Sequence, residues 1–336
     1  MSDDNLLSSS GDTPASVDTI AGAAELAAQL EASIGKAVVG QKTVIREVLA
    51  ALIAGGHVLV EGVPGLGKTL LVLALSKSIT AKFSRIQFTP DLMPSDVTGH
   101  AVFDIKLEEF NVRKGPVFCN FLLADEINRA PAKTQAALLE VMQEQQVTIE
   151  GKAMDLTPPF MVLATQNPVE QEGTYPLPEA QIDRFLLKVR ISYPGEHDEL
   201  NLVKQVTESS VGEKLNVDNV EQVLSPQQII ECQNIAAKLP IDSQVVDYVV
   251  RLVRTSREWN GVHMGAGPRG SIALVRASRA HALINGNTFV TPDDVKAIAK
   301  PVLRHRISLT PDLEIEGLQP DDVLDRLLDE VKAPRL

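Results

Sequence analysis

A glycine-rich loop lies between two apolar runs, and it limits the kind of sheet that can surround it. The loop reads Gly62-Val63-Pro64-Gly65-Leu66-Gly67-Lys68-Thr69, which is the spacing G-x-x-x-x-G-K-[ST]. The run before it predicts a buried strand, and residues 70–77 after it predict a helix. Glycines let backbone N–H groups turn towards phosphate oxygens, and the helix N-terminus adds partial positive charge. The loop therefore predicts a triphosphate site in which Lys68 contacts the outer phosphates and Thr69 ligates magnesium.

Short apolar strands alternate with helical patterns over most of the first half of the chain. The predicted strands are residues 58–61, 85–89, 121–126, 161–165 and 186–191. This alternation favours a parallel sheet that is covered by helices on both faces. The predicted fold class is therefore α/β, with a P-loop core of five parallel strands followed by a small all-helical domain. Ligands of such sheets bind at the carboxyl ends of the strands, where the loop also lies.

Composition and periodicity divide the chain into four parts. Residues 1–17 are rich in Ser, Asp and Gly and are predicted to be a disordered tail. Residues 18–193 are the predicted nucleotide-binding core, residues 194–224 a linker, and residues 225–336 the helical domain. Hairpin-like patterns near 94–117 and 146–155 are predicted to be insertions in the core. In the last part, Ser225 and Thr291 each precede a proline and begin a predicted capping box.

Charge is unevenly distributed along the chain. The net charge is -12, whereas residues 251–306 contain ten Lys or Arg and three acids, which is +7 and leaves -19 for the rest. The acidic total argues against a dedicated nucleic-acid binder. The basic segment fits either solvated helix faces or a surface that meets nucleotide phosphates or a neighbouring subunit.

Cysteine usage and hydropathy indicate the compartment. Cys119 and Cys232 are the only cysteines, so a disulfide framework is not expected and a reducing cytoplasm is the predicted setting. The first residues have neither the basic start nor the apolar core of a signal peptide. No apolar stretch approaches the length that spans a bilayer, so no membrane span is predicted.

Acidic and amide side chains follow two of the predicted strands. Asp125 and Glu126 end the strand that begins at Phe121, and Asn167 follows the next strand. Adjacent carboxylates are costly to bury without a cation or protein donors, and beside a phosphate loop the cation is magnesium. Asp125 is therefore predicted to hold magnesium together with Thr69, and Glu126 to deprotonate the attacking water. Asn167 would lie beside the γ-phosphate and hold that water in line.

Together these residues resemble the AAA+ ATPases, and further blocks resemble the MoxR group among them. The blocks are Phe88-Thr89-Pro90-Asp91-Leu92-Met93-Pro94-Ser95-Asp96, Ala124-Asp125-Glu126-Ile127-Asn128-Arg129-Ala130, Leu177-Pro178-Glu179-Ala180-Gln181-Ile182-Asp183-Arg184-Phe185 and Gly267-Pro268-Arg269. The resemblance runs over most of the chain. It implies a helix-2 insertion within residues 94–117, a hairpin before the fourth strand and a mobile helical lid.

The resemblance also implies roles for particular residues. Asn167 matches the sensor-1 residue, Arg184 the arginine finger given to a neighbouring subunit, and Arg269 the sensor-2 arginine at the start of a lid helix. The nucleotide-binding residues that it implies are Val39, Gly40 and Gln41 at the adenine, and Gly62, Val63, Pro64, Gly65, Leu66, Gly67, Lys68, Thr69 and Leu70 at the phosphates. Arg129 has two readings, one facing a neighbour's nucleotide and one capping the next helical region.

The function implied is that of a cytoplasmic ring, a hexamer of identical subunits, that hydrolyses MgATP between subunits. Its work would be chaperone-like: remodelling, maturing or metal-loading a partner protein with a von Willebrand factor A domain. Three alternatives stay open at this point: a DNA-linked motor ATPase, a stand-alone P-loop kinase, and a nucleotide-gated scaffold with little turnover. Acidic net charge counts against the first, the implied finger and lid against the second, and Glu126 against the third.

Overall fold

The chain folds around a five-stranded parallel sheet. The computed structural model describes residues 17–62, 65–167, 174–209 and 217–335. The strands are, in chain order, β1 (Val58–Glu61), β2 (Phe83–Gln87), β3 (Gly99–Asp104), β4 (Glu109–Lys114), β5 (Phe121–Asp125), β6 (Gln146–Ile149), β7 (Lys152–Asp155), β8 (Met161–Gln166), β9 (Leu187–Arg190), β10 (Val262–Met264) and β11 (Ser308–Leu309). The sheet order is β2-β5-β8-β1-β9, and every neighbouring pair is parallel. The predicted α/β class is confirmed.

Helices cover both faces of this sheet, and further helices form a second body. The helices are α1 (Ile20–Gly35), α2 (Lys42–Ile53), α3 (Lys68–Ser78), α4 (Pro94–Thr98), α5 (Ala132–Glu144), α6 (Glu179–Ile182), α7 (Glu196–Ser209), α8 (Pro226–Lys238), α9 (Ser243–Glu258), α10 (Pro268–Ile284), α11 (Pro292–Leu303), α12 (Pro311–Ile315) and α13 (Pro320–Glu330). Helices α8 to α13 make up the lid.

The alternation of side chains along each strand produces two hydrophobic layers. Val58 and Val60 point to the layer that contains α1, α2, α3 and much of the lid. Leu59 points to the other layer, which contains α5 and the base of the hairpins. Because both faces are covered, the strands are near-continuous apolar runs, as parallel strands generally are.

Two antiparallel hairpins leave the core. β3 pairs with β4 from Gly99 opposite Lys114 to Asp104 opposite Glu109, and β6 pairs with β7 from Gln146 opposite Asp155 to Ile149 opposite Lys152. Neither hairpin joins the parallel sheet. Each is therefore free to carry a function that does not depend on closing the core.

The lid is held by local capping as well as by its core. The Ser225 hydroxyl accepts a hydrogen bond from the backbone N–H of Gln228, and the Thr291 hydroxyl accepts one from the backbone N–H of Asp294. In return, the side chains of Gln228 and Asp294 accept hydrogen bonds from the backbone N–H groups of Ser225 and Thr291. These two predicted capping boxes are present. The lid also contains the short antiparallel pair β10–β11 and the short helix α12.

Two stretches differ from the predicted division of the chain. The predicted linker 194–224 contains α7, a helix of 14 residues whose first turn carries Glu196, Asp198 and Glu199, all favourable at a helix N-terminus. Residues 1–16 of the predicted tail lie outside the described residues. Val17 is buried, and its N–H donates to Glu231 Oε2 at 2.9 Å.

Within residues 17–62, 65–167, 174–209 and 217–335, no helix is both long enough and apolar enough to cross a membrane.

A buried histidine joins the amino end of β1 to two other elements. The Nδ1 atom of His57 accepts the N–H of Val162 in β8 at 3.0 Å, and Nε2 lies 3.0 Å from the carbonyl oxygen of Met142 in α5. Nε2 is therefore the protonated nitrogen, since a carbonyl only accepts. Burial lowers the pKa of His57 from 6.5 to about 4, so the ring is neutral in the fold.

We expect the free energy of unfolding to fall as the pH drops from 6.5 to 4. In that range the unfolded chain binds a proton at His57 and the folded chain does not, which favours unfolding. The contribution reaches about 3 kcal/mol at pH 4. Urea unfolding at several pH values tests this with His57→Asn, which keeps an acceptor for Val162 but cannot titrate. The variant should show a flatter pH dependence than the wild type, whereas His263→Asn, at an exposed position, should not. Equal slopes in the wild type and His57→Asn would contradict this role.

Candidate nucleotide site

The phosphate loop joins β1 to α3 at the carboxyl edge of the sheet. Gly67 has φ 77°, in the left-handed region that favours glycine, and directly precedes the first turn of α3. Lys68 donates its Nζ–H groups to the carbonyl oxygens of Gly62 and Gln166. Val63 and Pro64, which were predicted to bind phosphate, lie outside the described residues. The described part of the loop thus has its lysine over the turn where phosphates would enter.

One cavity collects the chemically active side chains of this edge. It has a volume of about 290 Å³. The residues that line it are Gly65, Gly67, Lys68, Thr69, Leu70, Asp125, Glu126, Thr165 and Asn167. Burial lowers the pKa of Lys68, and the carboxylates of Asp125, Glu126 and Glu61 oppose that change. A cationic amine, a hydroxyl and two carboxylates around one cavity suit a magnesium-bound polyphosphate.

Asp125 is held by protein donors on two sides. Its Oδ1 accepts the Thr165 hydroxyl at 2.6 Å, and its Oδ2 accepts Nη2 of Arg85 at 2.7 Å. The same Thr165 oxygen accepts the N–H of Glu126 at 2.8 Å. Asp125 is thus a fixed oxygen ligand near Thr69, and both belong to the class of ligand that Mg²⁺ prefers.

Glu126 adopts an unusual backbone conformation and has two partners. Its φ of 55° lies in the left-handed region, which costs a non-glycine residue energy and is typical of functional sites. Gln87 Nε2 donates to Glu126 Oε2 at 2.8 Å, and Arg129 Nε lies 3.1 Å from the same oxygen. One oxygen of this carboxylate, Oε2, is therefore bound by two protein donors. The contact between Arg129 and Glu126 lies within one chain, and both readings of Arg129 stay predictions.

The predicted adenine residues are not among those that line this cavity. Val39, Gly40 and Gln41 form the bend between α1 and α2, and Gln41 Nε2 donates to the Ser192 carbonyl oxygen at 2.8 Å. Gly40 has φ 74°, and a Cβ there would come within 2.8 Å of Asp198 Cβ. The bend therefore packs against the start of α7, just beyond the end of β9.

Arg184 and Arg269 lie at the opposite edge of the sheet. Both line a second cavity of about 260 Å³ that also touches Gly55, Gly56 and His57, which precede β1. The four residues of β1 separate this amino edge from the phosphate loop, and a strand of that length spans about 13 Å. Arg184 Nη1 donates to the Leu139 carbonyl oxygen at 2.9 Å, and Arg269 Nη1 lies 3.3 Å from Asp183 Oδ2. The structure therefore does not bring the predicted sensor-2 arginine to the phosphate loop of its own chain.

Several polar residues of the site carried no motif of their own. Arg85 and Gln87 lie on β2, whose pattern indicated only a strand. Thr165 ends a buried apolar run. Parallel neighbours place Gln87 opposite Asp125 in register. Side chains two residues apart on β2 lie on the same face, so the strand order would have identified Arg85 and Gln87 as neighbours of Asp125 and Glu126. The strand order cannot be predicted from this sequence alone.

Family models match both parts of the chain. Residues 57–187 match the ATPase family associated with various cellular activities (AAA), and residues 254–327 match the AAA lid domain. The two matches correspond to the parallel-sheet core and to the lid.

Individual relatives cover nearly the whole chain. An uncharacterized protein, YeaC of Bacillus subtilis, is 46% identical over 90% of this chain and 92% of its own length. Chaperone MoxR1 of Mycobacterium tuberculosis is 43% identical over 90% of this chain and 81% of its own. The crystal structure of a provisionally assigned ATPase from Cytophaga hutchinsonii superposes with a TM-score of 0.85 at 42% identity, covering 93% of this chain and 96% of that one.

Proposed function

Because the chain belongs to the MoxR-type AAA+ ATPases, we propose that it hydrolyses MgATP at sites shared between neighbouring subunits of a ring. Each site would take the phosphate loop and Glu126 from one subunit and Arg184 and Arg269 from the next. The ring would be a hexamer. ATP turnover would drive remodelling, maturation or metal loading of a partner protein.

The observation that carries this proposal is the position of the two arginines. Arg184 and Arg269 line one cavity at the amino edge of the sheet, while Lys68 and Glu126 line another at the carboxyl edge. Charge that grows on the γ-phosphate during hydrolysis is stabilised by a planar cation. One chain cannot supply both halves, whereas head-to-tail contacts between identical subunits bring opposite surfaces together and close into a ring.

Within one site each residue has a defined task. Thr69 and Asp125 would hold Mg²⁺, which neutralises charge on the β- and γ-phosphates when bound. Lys68 would exchange the carbonyl oxygens of Gly62 and Gln166 for phosphate oxygens. Glu126, once released from Gln87 and Arg129, would accept a proton from the attacking water, and Asn167 would orient that water.

The size of the particle tests the ring directly. Light scattering of the Glu126→Gln protein with MgATP should give the mass of six chains, because ATP that is not hydrolysed keeps the shared sites closed. A single-chain mass with ATP saturating would contradict the proposal. Stimulation of ATPase activity by DNA would favour the motor alternative instead.

The β3–β4 hairpin supplies the surface that we propose for the partner. Five of its apolar side chains are 45% to 83% exposed. They are Val102, Phe103, Ile105, Leu107 and Phe110. The Phe103 and Phe110 rings pack edge to face at 5.2 Å, so the hairpin also stabilises itself. Contiguous exposed apolar groups favour protein contacts. A partner with a von Willebrand factor A domain is the candidate occupant.

Replacing Ile105 with serine should abolish stimulation of ATPase by such a partner. Ile105 is 83% exposed, so the fold loses little when it changes. Phe103→Ser should act in the same direction with some loss of hairpin stability. The matched control is Ile315→Ser on α12, which is 84% exposed and far from the hairpin in sequence. Equal stimulation of Ile105→Ser and Ile315→Ser would remove the hairpin from partner recognition.

A reducing cytoplasm completes the proposal. Cys119 and Cys232 are both buried and unpaired, as expected for a chain that meets no oxidising machinery.

A further inference from the structure

Three consecutive lid residues donate hydrogen bonds to the core segment that carries Arg184. These residues follow α11 and are Arg304, His305 and Arg306, here called the basic clamp. Arg304 Nη1 donates to the Lys188 carbonyl oxygen at 3.1 Å. His305 Nε2 donates to the Phe185 carbonyl oxygen at 3.0 Å. The clamp therefore spans the chain from the arginine finger into β9.

Arg306 has the largest share of these contacts. Its Nε donates to Asp183 Oδ1 at 2.8 Å, and Nη2 donates to the carbonyl oxygens of Phe185 at 2.7 Å and Asp183 at 3.2 Å. Nη1 donates to the Leu186 carbonyl oxygen at 3.1 Å. A single planar guanidinium thus fixes the backbone on both sides of Arg184, which a flexible ammonium could not do.

Asp183 links the clamp to the second arginine of the proposed shared site. While Oδ1 accepts Arg306, Oδ2 lies 3.3 Å from Arg269 Nη1. Arg269 and Arg184 line the same cavity. One carboxylate, adjacent in sequence to the arginine finger, therefore holds a lid arginine at a defined place beside it.

Burial separates the arginines that can reach a neighbour from the one that cannot. The Arg269 side chain is 54% exposed, whereas that of Arg306 is 2% exposed. If Arg306 moved away from its acceptors, its buried positive charge would be left without a partner, which is strongly unfavourable. Burial lowers the pKa of Arg306 to about 10 and the Asp183 carboxylate opposes this change, so Arg306 stays charged at neutral pH. Arg306 can thus influence a neighbour's nucleotide only through other residues.

We propose that Arg306 is a positioning residue that sets Arg184 directly and Arg269 through Asp183, so that both reach the next subunit's nucleotide together. The inference rests on the proposed sharing of sites between subunits. It assigns Arg306 to the finger-donating side of the interface and gives it no role at the phosphate loop of its own chain.

The test is ATP hydrolysis by mixed subunits. Arg306→Lys keeps the charge and loses the planar fork, and its kcat should fall about 10²-fold, the usual effect of misplacing a group by about 1 Å. Its affinity for ATP should stay close to that of Arg254→Lys, an exposed control on α9. Its Tm should fall below that of the control, because lysine leaves some of the buried acceptors of Arg306 without a donor. Mixed with Glu126→Gln it should recover activity, because the Glu126→Gln subunits supply intact arginine fingers to the intact Glu126 of the Arg306→Lys subunits. Mixed with Arg184→Ala it should not, because every finger is then defective.

Equal recovery in both mixtures, or wild-type kcat in Arg306→Lys alone, would overturn the inference. Failure to recover in both mixtures would do so as well, because it would show a general loss of fold rather than a misplaced arginine. Asp183→Asn provides a second variant, since Arg306 keeps its carbonyl acceptors there, and it should behave in mixtures as Arg306→Lys does. The mixture of Arg184→Ala with Glu126→Gln separates the two claims. If this mixture recovers no ATPase activity although subunit exchange is confirmed, the proposal of shared sites is wrong and the inference about Arg306 is wrong with it. If it recovers activity, the mixtures that contain Arg306→Lys test the role of Arg306 alone.

Discussion

Replacing Glu126 with glutamine should leave MgATP binding intact and slow hydrolysis by about 10²–10⁴-fold. Glutamine has the size and shape of glutamate and accepts the same left-handed backbone conformation, so Asp125 and Thr165 keep their places. It cannot take a proton from water. Phosphate release measures the rate, and calorimetry measures the affinity for ATP.

The control for this substitution is Glu330→Gln, which removes the same charge at an exposed position on α13. That protein should hydrolyse ATP at the wild-type rate. Turnover of Glu126→Gln within a few-fold of the control would remove Glu126 from the mechanism.

Replacing Arg184 with alanine should slow hydrolysis by about 10³–10⁵-fold, the range seen for arginines that a neighbour supplies to a phosphoryl group. ATP affinity should change little, because Arg184 lies at the edge of the sheet opposite Lys68. The Arg184→Ala variant loses one hydrogen bond of the fold, to the Leu139 carbonyl oxygen, and this should lower the free energy of unfolding by about 1 kcal/mol. The matched control is Arg254→Ala, an exposed arginine on α9.

A thermal melt distinguishes loss of function from loss of fold in this pair. Arg184→Ala and Arg254→Ala should melt within a few degrees of each other while differing greatly in turnover. Equal turnover in the two variants would show that Arg184 is an ordinary surface arginine.

Much of the fold followed from patterns that are local in sequence. The phosphate loop, the strand before it and the helix after it depend on adjacent residues, and parallel strands must be apolar because both faces are buried. The convergence of Asp125, Asn167 and Thr69 on one cavity also follows from strand ends, since parallel strands bring their carboxyl ends to the same edge.

The parts that could not be predicted depend on contacts between distant elements. The direction of the lid decides where Arg269 lies, and its partner Asp183 is 86 residues away in the chain. Gln87 meets Glu126 only because β2 lies beside β5. Helix α7 was missed because Pro194-Gly195 before it signalled a break in the pattern.

The basic surplus of residues 251–306 has an explanation that the sequence did not suggest. Arg276 donates to the carbonyl oxygens of Ala54 and Gly55, and Arg304 and Arg306 donate to carbonyl oxygens around β9. These arginines bind the lid to the core. Arg269 is more than half exposed and fits the reading of a surface for a neighbouring subunit.

Mixing two inactive variants tests the central claim of a shared site most directly. Glu126→Gln retains Arg184, and Arg184→Ala retains Glu126, so equal amounts that exchange subunits at random give about one intact interface in four. We expect ATPase activity far above that of either variant alone. No recovery at any mixing ratio, with subunit exchange confirmed, would show that Arg184 and Glu126 do not act on one nucleotide from two chains.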